Sequence, residues 1–171
     1  MKEIILPFLF ISIFGTVLHF TYDLSNKNIV VGIFSSVNES IWEHIKLLLT
    51  PIFVMNFINY ILGNTSNYFL ILFIELILSI ILVILFYKIK ILIFKDKKDY
   101  INVISFYITV FIVVITKFYL EKNITSNNIH LLFKIPCLII YIMYLSFTIF
   151  PPRRKLFLDP ITKTYGINQC K

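Results

Sequence analysis

The chain has 171 residues, 58% of them hydrophobic and 17% aromatic, with a net charge of +7 at pH 7. A soluble domain is about 45–50% apolar, so this composition excludes an ordinary water-soluble fold and leaves no room for a separate soluble domain. The excess lysine and arginine lies in short loops beside apolar runs, which fits membrane topology and anionic lipid headgroups and excludes nucleic acid as the partner.

Residues 3–22 form the first expected span. It begins as a secretory signal would, but Leu18-His19-Phe20-Thr21-Tyr22 offers no small-residue cleavage site, so the helix is expected to stay uncleaved. The second span is expected over 37–62. Ser36-Val37-Asn38-Glu39 fits a capping box, with the Ser36 hydroxyl taking the Glu39 amide and Glu39 reaching back to the Ser36 amide. Glu39 and Glu43 also suit the positive end of the helix dipole. Pro51 is expected to kink this helix, and Asn56 and Asn59 to face other helices.

The third span, over 67–87, carries Glu75. A carboxyl group at that depth is expected either to pair with Lys117 or to act as a proton or cation relay. The fourth span covers 100–120 and the fifth 129–150, ended by Pro151-Pro152. His130 is expected in a solvated loop. Residues 151–171 read as a basic cytoplasmic tail opened by Arg153-Arg154-Lys155, with a turn at Asp159-Pro160. Cys137, in an apolar run, and Cys170, in the tail, are badly placed for a disulfide framework.

The lysine-rich loop after the third span and the basic tail belong in the cytoplasm, and two spans separate them. The expected fold is therefore an all-α integral membrane bundle of five transmembrane helices over 1–150. Its N-terminus lies outside and its C-terminus in the cytoplasm, in the cytoplasmic membrane of a bacterium with an AT-rich genome.

This threading places His19, Asp23, Glu39, Glu43 and His44 in one layer at the cytoplasmic boundary. His19 and Asp23, four apart, share a helix face. If residues 37–62 are helical, Glu39, Glu43 and Lys46 share an arc, with His44 beside it, while Asn38 falls on the apolar arc near Trp42. His19, Asp23, Glu43 and His44 are candidate ligands for a divalent metal. Without a metal, a Glu–His pair suits general acid–base catalysis, with Asn38 and Lys46 positioning or neutralising substrate charge. A reading without chemistry also accounts for the segment: a cap, dipole-matched acids, a Glu43–Lys46 pair and Trp42 in the aromatic belt.

Three segments, Leu18-His19-Phe20-Thr21-Tyr22-Asp23, Phe34 to Lys46 and Asp159 to Ile167, resemble an uncharacterised family of small multi-pass membrane proteins from Gram-positive bacteria. The Asn-Glu-Ser-x-Trp-Glu-His-x-Lys core of the second segment is the specific part. The resemblance implies a five-helix membrane fold and points to the Asn38–Lys46 face, and it implies no activity. Two functions stay open: a membrane-embedded enzyme acting on a lipid or peptide, or a transporter, channel subunit or interaction partner, oligomeric or bound to another protein, that uses Glu75 and the Asn38–Lys46 face.

Overall fold

The structure, a computed structural model, describes residues 1–63, 67–94, 100–125 and 128–167. The turn expected at 63–66 is only partly within this set, and Lys95–Asp99 of the lysine-rich loop and Cys170 lie outside the described residues. The elements are α1 (Lys2–Leu24), α2 (Ile29–Phe34), α3 (Ile41–Ile61), α4 (Tyr68–Phe94), α5 (Tyr100–Asn123), a 3-10 helix (Asn128–Phe133) and α6 (Lys134–Ser146). Five helical stretches among the described residues are long and apolar enough to cross a membrane, which identifies a membrane protein of all-helical build.

α1 and α4 each pack on both α3 and α5, closing a four-helix ring, and the 3-10 helix with α6 packs against α4. α3 is the core element. Its span is 67% buried, whereas no other span exceeds 28%. Ile45, Leu48, Leu49 and Ile52 have no exposed surface and meet Ile11, Leu76, Val110 and Val113. Exposed apolar rows face outward, as at Leu9, Ile13, Val17 and Phe20 on α1 and Ile104, Ile108, Phe111 and Ile115 on α5. Their spacing of three or four residues is that of one helix face, here the lipid-facing one.

Pro51 lies inside an uninterrupted α3. Proline has no N–H, so the carbonyl four residues earlier, on Leu47, loses its helical donor. Gly15 of α1 packs directly on that carbonyl: a Cβ at position 15 would stand 2.6 Å from the Leu47 oxygen and 2.7 Å from the Phe106 ring. Only glycine permits this approach, and it fixes α1 against α3 and α5 one turn before His19.

The second span departs from the expected start at 37. A short helix, α2, occupies 29–34, and α3 begins at Ile41, with Ser40 as its N-cap accepting from the Glu43 amide at 3.4 Å. Ser36 is not the cap; its hydroxyl donates to the Asn38 carbonyl at 2.8 Å. Both serines head an S-x-x-E run, and Asn38 decides between them, because its Oδ1 takes the Ser40 amide at 2.9 Å and holds residues 38–40 in a non-helical turn. The fifth span starts at Ile129 as expected and runs to Ser146, its first turns 3-10 and its α-helix starting at Lys134. That start places Pro136 in the first turn, where no backbone donor is required.

Residues 151–167 fold back on the bundle through a few buried side chains, while 153–155 and 160–163 stay exposed. The Leu156 carbonyl accepts the Trp42 amide at 3.0 Å, Phe157 is buried against Trp42, and Ile167 packs with Tyr22 and Val37. Trp42 is 4% exposed between Phe147 and Phe157, so it belongs to the core and not to an aromatic belt. Asp159 is buried; its carboxylate accepts from the Ile161 amide at 2.9 Å and from the Thr162 hydroxyl, closing the turn expected at Asp159-Pro160. At the other end, His130 lies in the 3-10 helix, stacked on Phe69, and not in a solvated loop.

Candidate functional site

The end of the ring that carries the start of α3 gathers the expected polar residues, but divides them into two groups. In the first, Glu39 stands between two imidazoles. Its Oε1 is 3.7 Å from His19 Nε2 and its Oε2 is 3.5 Å from His44 Nε2, and the two rings are 5.9 Å apart. All three side chains are partly exposed.

The position of each follows from its local backbone. His19 is brought in by the Gly15 contact of α1. Glu39 is carried by the non-helical turn that Asn38 holds. His44 lies one turn into α3, where its Nδ1 is 3.0 Å from the Ser40 carbonyl. A carbonyl only accepts, so Nδ1 is the donor in this contact, and Nε2 is the nitrogen turned toward Glu39. His19 Nδ1 is buried without a partner, which leaves Nε2 as the nitrogen facing the carboxylate. Glu39 therefore has an imidazole Nε2 on either side, at 3.7 and 3.5 Å, close enough for a proton to pass between carboxylate and ring after a small side-chain movement.

The second group is sealed. Lys46 has no exposed surface and Glu43 is 2% exposed. Lys46 Nζ donates to Glu43 Oε2 at 2.9 Å, to the Gly32 carbonyl at 2.8 Å and to the Thr148 hydroxyl at 2.7 Å. Glu43 Oε2 also accepts the Val37 amide at 3.0 Å. These two residues, expected among the catalytic set, do not meet a substrate in this arrangement. Asn38, expected on the apolar arc of a helix, instead caps the turn. Asp23 is exposed and lines a shallow cavity of about 460 Å³ with Lys27, Glu39 and Thr162.

The four expected metal ligands are thus not brought together, because Glu43 is committed to Lys46 and Val37. No group of three or more His, Cys, Asp or Glu side chains among the described residues is arranged to hold a metal ion.

His19, Glu39 and His44 line a cavity of about 520 Å³ inside the ring. Its remaining walls come from residues outside the expected site. Tyr87 and Lys90 lie on α4, and Asn102, Ser105 and Thr109 on α5, while Pro160 and Ile161 cover it from the tail. Ile161 and Glu39 also border the shallower cavity, so they form the partition between the two.

A third polar group occupies the opposite half of the ring. Glu75 Oε2 accepts from Asn56 Nδ2 at 2.8 Å, Lys117 Nζ donates to Asn56 Oδ1 at 2.9 Å, and Lys117 lies 3.5 Å from Glu75. Glu75 therefore has the expected Lys117 partner, with Asn56 as a bridge from α3, while its Oε1 is buried without a hydrogen bond.

Residues 1–167, nearly the whole chain, match a family of unknown function, DUF6512. No curated protein and no solved structure matches the chain.

Proposed function

The chain belongs to that family, and we propose that it is a membrane-embedded acid–base catalyst whose working residues are His19, Glu39 and His44, at the cytoplasmic face of the cell membrane. The observation that carries this reading is the Glu39 carboxylate held between two Nε2 atoms on the wall of a cavity. His44 is the base. Its Nδ1–H is anchored on a carbonyl, so Nε2 takes a proton from a substrate hydroxyl or amine, and the resulting imidazolium is paired with Glu39. His19 sits on the far side of the carboxylate, where it holds Glu39 in place, and the proton returns from His44 Nε2 to the product. The cytoplasmic assignment is supported by the basic residues of this end, among them Lys27, Lys88, Arg153, Arg154 and Lys155.

Site-resolved NMR of the imidazole nitrogens, in detergent micelles at a single pH, tests the reading. The Nε2 resonances of His19 and His44 are both expected to move in Glu39→Gln. Imidazole resonances of both rings that stay in place in Glu39→Gln would overturn it.

A second reading rests on the unpartnered Oε1 of Glu75, deep in the ring. Intramembrane carboxyl groups mark ion and proton pathways more often than surface ones do. On this reading the protein moves protons or cations, alone or as an oligomer, through the Glu75–Lys117–Asn56 group. Proton flux into proteoliposomes that Glu75→Gln abolishes supports it, and flux unchanged by that substitution removes it.

A further inference from the structure

We propose that the cavity beside His19, Glu39 and His44 binds a single-chain amphiphile. A hydroxyl- or amine-bearing head lies against Glu39 and His44, and an aliphatic chain runs inward between α4 and α5. The proposal rests on the acid–base reading only for what happens to the head; the binding mode follows from the cavity itself.

The size is that of a small-molecule site, since about 520 Å³ falls within the range of roughly 300–1,000 Å³ such sites occupy. The walls divide by depth. At the mouth are Glu39, His44 and Lys90; further in are Val83 of α4 and Val103, Phe106 and Thr109 of α5. From Asn102 to Thr109 is seven residues of helix, about 10 Å of depth at 1.5 Å per residue. A ligand that fills this space is polar at one end and apolar along most of its length.

The hydroxyls in the wall support a chain and not a peptide. Ser105 Oγ donates to the Asn102 carbonyl at 2.9 Å, and Thr109 Oγ1 to the Ser105 carbonyl at 2.8 Å. Their protons are thus satisfied within α5, and an alkyl chain passing them strands no donor. A peptide backbone there would need partners for its own N–H and C=O groups, and these helices, whose backbone groups bond internally, offer few. At the mouth, the Glu39 carboxylate accepts and Lys90 adds a positive charge, so the complementary head is an uncharged one that donates, a hydroxyl or a neutral amine. Two long chains and a head exceed the space between the four helices, which selects one chain.

Photolabelling in phospholipid nanodiscs tests this, with a long-chain alcohol carrying a diazirine on its chain as the probe and the labelled peptides mapped by mass spectrometry. Labels are expected on Val83, Tyr87, Val103 or Phe106. Val83→Trp is expected to cut that labelling about tenfold by filling the cavity. The more exposed Val103→Trp serves the same purpose if Val83→Trp fails to fold. Labels confined to the outward Ile108 and Phe111 overturn the proposal, as does equal cavity labelling by a two-chain phospholipid or an apolar peptide bearing the same group. Probe preloaded in the bilayer and probe delivered from water distinguish a leaflet source from a soluble one, and cavity labelling by either route supports the site. Cavity labelling with histidine resonances indifferent to Glu39→Gln keeps this site and removes the acid–base reading, whereas resonances that respond to Glu39→Gln without cavity labelling do the reverse.

Discussion

Lys46 Nζ lies 2.7 Å from the Thr148 hydroxyl, joining α3 to a residue 102 positions later in the chain. The other two ammonium protons go to Gly32 and Glu43, so all three donors of a completely buried lysine are matched. One side chain thereby ties α2, α3 and the segment after α6 together beneath the candidate site. Lys46→Met removes three contacts and leaves the Glu43 carboxylate buried without a counter-charge. The expected loss is about 3–5 kcal/mol, the cost of removing one partner of a buried pair. Replacing both residues, as Lys46→Met with Glu43→Leu, is expected to recover most of it, because no stranded charge remains. Thermal unfolding in detergent of the two single variants and the double variant measures the difference. Equal loss in Lys46→Met and in the double variant would rule out the stranded-charge account.

Gly15 and Pro51 act as a pair although they lie on different helices. The proline exposes the Leu47 carbonyl, and the glycine lets α1 come down on it. Gly15→Ala places a methyl group 2.6 Å from a backbone oxygen that cannot move without α3. The expected cost is about 1–3 kcal/mol, typical of an overpacked contact. The same change displaces His19, one turn on, so the His19–Glu39 coupling seen by NMR should weaken while the Nδ1 contact of His44 with Ser40 stays. A variant that loses stability with both histidines unaffected would separate the glycine contact from the site.

The start of α3 depends on Asn38 as much as on its cap. Ser40→Ala is expected to cost about 1 kcal/mol, the usual loss for an N-cap. Asn38→Ala is expected to cost at least as much, because it releases the Ser40 amide and the turn that carries Glu39. Hydrogen exchange at residues 41–44 is the direct measurement. If the helix extends back to Ser36 in Asn38→Ala, protection will spread to residues 37–40, and Glu39 will leave His19.

Much of this arrangement was legible in the residues. Long apolar runs, broken by short polar turns, dictate five spans, and short connections alone bring His19 to the same end as Glu39 and His44. The division of the polar residues was not legible. Reading 37–62 as one helix places Glu39, Glu43 and Lys46 on a single arc, but the arc requires Glu39 to be helical. Local capping rules fit Ser36 and Ser40 equally, and only the Asn38 contact separates them. With Glu39 outside the helix, Glu43 and Lys46 turn inward while the carboxylate of Glu39 meets the histidines. The cavity wall had a usable signal in Asn102, Ser105 and Thr109, spaced three and four apart on an otherwise apolar helix. The packing of the tail was hidden because Arg153-Arg154-Lys155 dominates its composition, while what anchors it are the apolar Leu156, Phe157 and Ile167.

That anchoring gives a test with a built-in reporter, because Trp42 is the only tryptophan. Its ring lies 5.2 Å from Phe157 and 5.3 Å from Phe147, and its amide donates to the Leu156 carbonyl. Phe157→Ala is expected to cost about 3–5 kcal/mol, as for other buried aromatic truncations, and to shift the Trp42 emission to the red as water enters. Phe157→Leu, which keeps most of the volume, should restore the emission and much of the stability. Because Pro160 and Ile161 follow on the same segment and cover the cavity, loosening Phe157 should also raise the accessibility of His44 to a water-soluble imidazole reagent. Emission and His44 reactivity that stay unchanged in Phe157→Ala would mean that the tail does not hold this end of the bundle closed.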